Sequence, residues 1–299
     1  MKYLFIINPV AGKGMASSFL PEIHNYFKNR NQDKYFVEIT GYPGHATLLA
    51  ANYSREDDFR IIAFGGDGTL NEVLNGMAGS GSSLGIIPTG SGNDFIKSMV
   101  PDRNYKDILR RTIEGEEILI DCGKAQDKYF INIMSVGIDS EIANYATIIN
   151  HRIHLAGKAS YLLGLLVAIF KKKLSFPLKI TLDGERTVEQ NFLLVAITNG
   201  KFYGGGFIPV PYTDFRDGVF DLCMVEEKGV PFILKVLPRY MKGTHLKVKG
   251  VTFEKALHII IESPREIRIN LDGEVFFDTR VDIRVLPGHL KFLRPSGLT

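Results

Sequence analysis

Up to about Asp121, short apolar runs alternate with helical spacings. Residues 3–7, 34–39, 60–64 and 84–87 have strand length, and most are almost wholly apolar. Between them, 15–29, 44–54, 69–78 and 104–114 carry the 3.6-residue period of helices. Strand and helix in regular alternation predict a parallel sheet covered on both faces. Beyond Asp121 the texture changes. Residues 129–133, 178–182, 192–198, 219–225, 258–262, 266–271 and 281–286 read as strands. Asp-Gly pairs at 183–184 and 272–273 signal tight hairpins. One helical stretch, about 139–173, interrupts them. The expected fold is therefore an α/β N-terminal domain followed by a mainly antiparallel β domain. No internal repeat of fold-defining length and no low-complexity linker is present.

Three predicted strands end in glycine-rich polar loops. Arg60–Phe64 runs into Gly65-Gly66-Asp67-Gly68-Thr69, and a helix follows. Glycines let the backbone turn sharply and let a ligand approach its N–H groups. A helix N-terminus adds unpaired donors and a positive dipole end, which suits phosphate. Asp67 is an acid in a loop that favours anions, so a metal ion or a transferred proton between it and a phosphate is one reading. A plain corner with Asp67 as helix N-cap is the other. The first strand is followed by Asn8-Pro9-Val10-Ala11-Gly12-Lys13-Gly14, and the fourth by Thr89-Gly90-Ser91-Gly92-Asn93-Asp94-Phe95. The Walker A spacing is absent, although Lys13 could still reach a phosphate oxygen as a point charge. In open parallel sheets ligands bind beyond the carboxyl ends of the strands, so three such loops define one nucleotide-sized site.

The set NPVAGKG (8–14), GGDGTLNE (65–72), PTGSGNDF (88–95) and LDGE (271–274) resembles the bacterial diacylglycerol kinase and YegS/BmrU lipid kinase family. The likeness runs from residue 5 to about residue 293. The GGDGT loop alone is shared with NAD kinases and, more distantly, phosphofructokinases. The resemblance implies a nucleotide-binding domain of that type over 1–121, completed by 287–299. It implies a β-sandwich lipid or substrate domain over 122–286. The activity implied is ATP-dependent transfer of the γ-phosphate to a lipid hydroxyl, diacylglycerol giving phosphatidic acid, with Mg²⁺ as cofactor.

Residue by residue, the resemblance assigns the nucleotide to Asn8, Pro9, Val10, Ala11, Gly12, Thr40, Gly65, Gly66, Asp67, Gly68, Thr69, Leu70, Asn71, Glu72 and Ser91. It places Asp67, Asp94 and Asp121 around the phosphates and the catalytic Mg²⁺, partly through water. Helix capping is an equal reading of Asp94, since one carboxylate can do both. Glu274 of the late LDGE is implied as the general base that takes the proton of the lipid hydroxyl. Burial in a cleft and nearby phosphates would raise its pKa. Leu182-Asp183-Gly184-Glu185 is the same tetrapeptide, and a type I′ hairpin explains both copies without any catalysis. Gly204-Gly205-Gly206 and the stretch 211–221 resemble a family loop holding a structural Mg²⁺. There Asp217 would give its side chain, and Asp214 and Val219 mainly carbonyl oxygens. A tight Asp-Gly turn without metal is the alternative.

Lys and Arg outnumber Asp and Glu by only 36 to 33 in 299 residues, a balance that argues against a nucleic-acid binder. Cys122 and Cys223 are the two cysteines, too few for a disulfide framework, so a reducing cytoplasmic setting is expected. The apolar N-terminal run stops at Asn8-Pro9, short of a signal peptide. Tyr161–Phe170 followed by Lys171–Lys173 reads as a buried helix with a basic end or as an interfacial anchor, which keeps contact with the inner face of a membrane open. A homodimer is equally open. Met15-Ala16-Ser17-Ser18 and Leu162-Leu163-Gly164 lack basic residues that some family members carry, which weakens any transfer of assembly details. The competing functions are an NAD kinase and a non-catalytic nucleotide-binding regulator on the same fold.

Overall fold

The computed structural model describes residues 1–30, 32–100, 107–153, 163, 164, 166–169, 175–204 and 206–297. The chain forms two compact units. The first comprises Met1–Cys122 and Gly288–Thr299, the second Gly123–Pro287.

In the first unit, strands β1 (Lys2–Ile7), β2 (Lys34–Ile39), β3 (Arg60–Gly65) and β4 (Ser83–Pro88) lie parallel in the order β2-β1-β3-β4. β1, β3 and β4 are almost wholly buried, as their unbroken apolar runs require in a sheet covered on both faces. Tyr3, Phe5, Ile7, Ile62, Phe64 and Ile87 pack on one side against Ile23, Phe27 and Leu293. Helices α1 (Leu20–Phe27), α2 (His45–Glu56), α3 (Asp67–Met77), α4 (Asp94–Met99) and α5 (Ile108–Ile113) complete the unit. The helix expected over 15–29 is regular only from Leu20. Gly12, Lys13 and Gly14 all have positive φ, and 3₁₀ turns follow them. Late in the chain, Lys291 and Phe292 add a parallel partner to β4.

The second unit is antiparallel. It contains β6 (Lys128–Phe130), β7 (Ile133–Gly137), β8 (Phe176–Leu182), β9 (Arg186–Thr198), β10 (Phe220–Glu226), β11 (Val251–Ala256) and β12 (His258–Leu271). The larger parts of β5 (Glu116–Ala125) and β13 (Glu274–Arg294) fall on either side of the division between units. β8 and β9 form one hairpin, and β12 and β13 another. The strand expected at 129–133 divides into β6 and β7, because the N–H groups of Ile131, Asn132 and Ile133 turn to the Asp272 carboxylate. The two strands expected at 258–262 and 266–271 are one, β12, with a register shift between Glu262 and Ile267 that takes up Pro264. Three elements were not expected: β5, β11 and helix α7 (Val230–Met241). Helix α6 covers Ile138–Ile153. Lys171–Lys173, Gly205 and parts of Tyr161–Phe170 lie outside the described residues.

Candidate active site

The parallel register sets the carboxyl ends of four strands level. Ile7 pairs with Ile39 and with Phe64, and Gly65 pairs with Pro88. The loops at 8–14, at Thr40 and at 65–69 and 89–93 therefore share one edge of the sheet. Thr40 continues the edge by donating its N–H to the Ile7 carbonyl.

Hydrogen bonds tie these loops to one another. The Asn8 side-chain amide donates to the Thr69 hydroxyl at 3.0 Å, so the first loop is anchored on the start of α3. The N–H groups of Thr89 and Gly90 both donate to the Gly65 carbonyl, at 3.0 and 3.1 Å. A Cβ on Gly90 would stand 2.3 Å from the Gly66 Cα, so the second and third loops touch backbone to backbone. A Cβ on Gly12 would come within 2.1 Å of the Thr89 carbonyl oxygen, which brings the first loop against the third.

Asp67 is not the N-cap of its own helix. That place belongs to Gly66, and no side chain caps α3. The Asp67 carboxylate instead accepts the N–H groups of Asp94 and Phe95, both at 3.0 Å, at the start of α4. Burial, reinforced by the adjacent Asp94 carboxylate, raises its pKa. Asp94 is buried and pairs with Lys97 at 2.8 Å. The structure thus brings Asp67 and Asp94 together. Asp121 is also buried and accepts the Gly288 N–H at 2.8 Å.

The remaining expected nucleotide residues divide by direction. Leu70 and Asn71 are buried, and Asn71 accepts from the Asn75 amide, so α3 offers the site mainly its first turn. The Glu72 carboxylate faces away from that turn and accepts the Ala46 N–H at the start of α2. Lys13, Gly68 and Ser91 are exposed. Val10 is largely exposed, and Pro9, Ala11 and Gly12 are half-buried. Gly68 has open space where a Cβ would sit and no positive φ. Neither packing nor backbone geometry explains glycine there, whereas a ligand passing close to the backbone would. The Thr89 hydroxyl and the Asn93 amide oxygen are buried without a partner among the described residues, polar groups that a ligand or water would satisfy.

In the second unit, Glu274 stands at the β12–β13 turn and is exposed, so the burial expected of it is not found. Its neighbour Asp272 is 7 % exposed and carries three N–H donors. Sequence reasoning gave Asp272 no role beyond the turn, because its partners lie 139–141 residues away. It also passed over Asp139, 4 % exposed at the start of α6. Burial pushes the Asp139 pKa up to about 6, against the hydroxyls of Ser135 and Tyr203 and the Ser140 N–H.

The expected metal loop is arranged differently from the resemblance. The Asp217 carboxylate accepts the Lys255 ammonium at 2.7 Å and the Val219 N–H at 3.3 Å. The Asp214 carbonyl accepts the Asp217 N–H, and the Asp214 carboxylate turns to the Arg216 N–H. Among the described residues no three His, Cys, Asp or Glu side chains gather to hold a metal ion. Asp67 and Asp94 are engaged as well, by two N–H groups and by Lys97, so they would hold Mg²⁺ only beside nucleotide phosphates that bring further oxygens and negative charge, since Mg²⁺ keeps several waters and takes only one or two carboxylates.

A parallel sheet with linked glycine loops at one edge, joined to an antiparallel unit, defines a phosphate-binding kinase of the diacylglycerol kinase and NAD kinase fold. The family model for the diacylglycerol kinase catalytic domain matches residues 2–125, and that for the YegS C-terminal NAD kinase beta sandwich-like domain matches 132–294. The chain belongs to this family of bacterial diacylglycerol kinases and YegS-like lipid kinases. A protein of Chromohalobacter salexigens named as a YegS-like lipid kinase is 32% identical over 87% of the chain and 84% of its own length. The diacylglycerol kinase of Mycobacterium tuberculosis H37Rv is 29% identical over 98% of the chain and 95% of its own length. A solved diacylglycerol kinase from Bacillus anthracis str. Sterne superposes with TM-score 0.73 at 25% identity, covering 100% and 98% of the two chains. An Archaeoglobus fulgidus NAD kinase solved with ATP, at TM-score 0.55 and 14% identity over 99% and 94%, shares the fold.

Proposed function

We propose that this chain is an ATP- and Mg²⁺-dependent lipid kinase that phosphorylates diacylglycerol to phosphatidic acid. The observation that carries the reading is the single edge where the loops after β1, β3 and β4 are tied together through Asn8–Thr69, Gly65–Thr89 and Asp67–Asp94. The uncapped first turn of α3 and the open backbone at Gly68 receive the phosphates. Thr40 and the 8–12 loop line the same edge for the rest of the nucleotide. Lys13 adds a mobile positive charge. Asp67 and Asp94 hold Mg²⁺, which when bound offsets charge on the transferred phosphoryl group. Asp121 supports this region through its hold on the returning chain at Gly288. Glu274 takes the proton of the attacking lipid hydroxyl.

The lipid is presented at a membrane surface, and contact is peripheral. Among the described residues no helix is long and apolar enough to cross a membrane. The deciding experiment measures ATP consumption by the purified chain with diacylglycerol, sphingosine, phosphatidylglycerol and NAD in parallel. Turnover with diacylglycerol is expected. Turnover with NAD alone would replace the reading with an NAD kinase, and ATP binding without turnover would leave a nucleotide-binding regulator.

A further inference from the structure

The loop at 214–219 does not fit the structural Mg²⁺ that the resemblance implies, and the reason is a lysine. Lys255 on β11 lies directly opposite Asp221 on β10 in the antiparallel register. Side chains opposite one another on such a pair share a face and stand close enough to interact. From there the Lys255 ammonium reaches Asp217 Oδ2 at 2.7 Å and Asp221 Oδ1 at 3.5 Å. The ladder sets which face the half-exposed Lys255 side chain leaves from, and its stem spans the rest of the distance. Asp221 is itself buried, so it needs a cation nearby.

The Asp217 carboxylate and the Asp214 carbonyl, two of the three groups a metal would use there, already accept hydrogen bonds. Asp217 Oδ1 accepts the Val219 N–H, Oδ2 accepts the ammonium, and the Asp214 carbonyl accepts the Asp217 N–H. Mg²⁺ demands near-octahedral oxygen ligation and gives up water reluctantly. Here it would have to take a carboxylate that the Lys255 ammonium already holds.

We propose that Lys255 supplies the positive charge at this loop, and that the chain holds residues 214–219 and the buried Asp221 without a metal ion. The ammonium bridges two carboxylates and joins the loop to β11. This assignment stands apart from the nucleotide loops and from the choice of lipid.

The test uses thermal unfolding of the full chain without nucleotide or lipid, in chelator and in MgCl₂, with wild type, Lys255→Gln, Lys255→Arg and Asp217→Asn. Wild type should melt at the same temperature in both buffers. Lys255→Gln should melt about 2–4 °C lower in chelator. Lys255→Arg, which keeps the charge, should lose less than Lys255→Gln. Calorimetric titration with MgCl₂ should find no site in wild type that Asp217→Asn removes. Two results overturn the proposal. One is an Mg²⁺-dependent rise in wild-type melting that Asp217→Asn abolishes. The other is a Lys255→Gln variant that melts like wild type in chelator. If Lys255→Gln does not fold, the wild-type titration against Asp217→Asn decides alone.

Discussion

Leu-Asp-Gly-Glu occurs twice, at 182–185 and 271–274, and folds twice into the same turn. Asp and Gly take φ of 52° and 74° in the first copy and 49° and 96° in the second. Both glutamates are exposed. The copies part at the aspartate. Asp183 is exposed and accepts the N–H groups of Leu257 and His258, at 2.9 and 2.8 Å. Asp272 is buried and accepts those of Ile131, Asn132 and Ile133, at 2.8, 3.1 and 2.7 Å. Local sequence sets the turn. The tertiary setting decides how much the carboxylate holds together, and nothing in the turn itself separates Glu274 from Glu185.

Chemistry separates the two glutamates most sharply. Glu274→Gln should lower turnover by a factor of about 10²–10⁴ with ATP binding nearly unchanged, if that carboxylate is the base. Glu185→Gln should turn over like wild type. Equal activity in both variants would reduce Glu274 to a hairpin residue.

The aspartates should differ in stability. Asp272→Ala leaves three buried N–H groups without their acceptor and should cost on the order of 3–5 kcal/mol in urea unfolding. Asp183→Ala should cost about 1 kcal/mol or less, because water replaces the lost bonds. Similar losses would mean that burial does not set the difference.

Asp139 sharpens the contrast as a second buried aspartate of the same unit. Its pKa is raised from 3.8 to about 6, so between those values the folded chain binds more protons than the unfolded one. Stability from this group therefore falls as pH rises through that window and is level above it. Asp139→Asn should gain on the order of 2–3 kcal/mol at pH 7.5, and the gain should fade as pH drops toward 4. A gain independent of pH would point to packing instead of charge.

The smallest effect belongs to the glycines. Gly68→Ala should stabilise α3 by about 0.5–1 kcal/mol yet raise the KM for ATP. Gly273→Ala, at a φ of 96°, should only destabilise. An unchanged KM in Gly68→Ala would remove the ligand from that backbone.

Much of the first unit was legible because its information is local. Unbroken apolar runs such as Leu4–Ile7 and Ile61–Phe64 mean strands, and glycine clusters after them mean loops at one edge. What escaped was tertiary. The break between β6 and β7 comes from Asp272, far along the chain. Helix α7 carries Pro231 in its first turn and Pro238 inside it, which hid its helical pattern. Asp67 looked like a cap for the helix it begins, and instead holds the start of the next one. Lys255 could not be paired with Asp217 without the register of β10 and β11.

The contact between Gly66 and Gly90 bears on how this chain can drift. A Gly90 Cβ would stand 2.3 Å from the Gly66 Cα, a collision with backbone, whereas a Gly66 Cβ would stand 3.2 Å from the Gly90 Cα, tight but not a collision. Most packed pairs can change together, one growing as the other shrinks. This pair has nothing smaller to become, so Gly90 cannot grow first and no change at Gly66 compensates. An unvarying glycine at 90 among relatives would therefore report on a backbone crossing that even a member without catalytic activity must keep. An unvarying glycine at 68, where space is open, would report on the ligand.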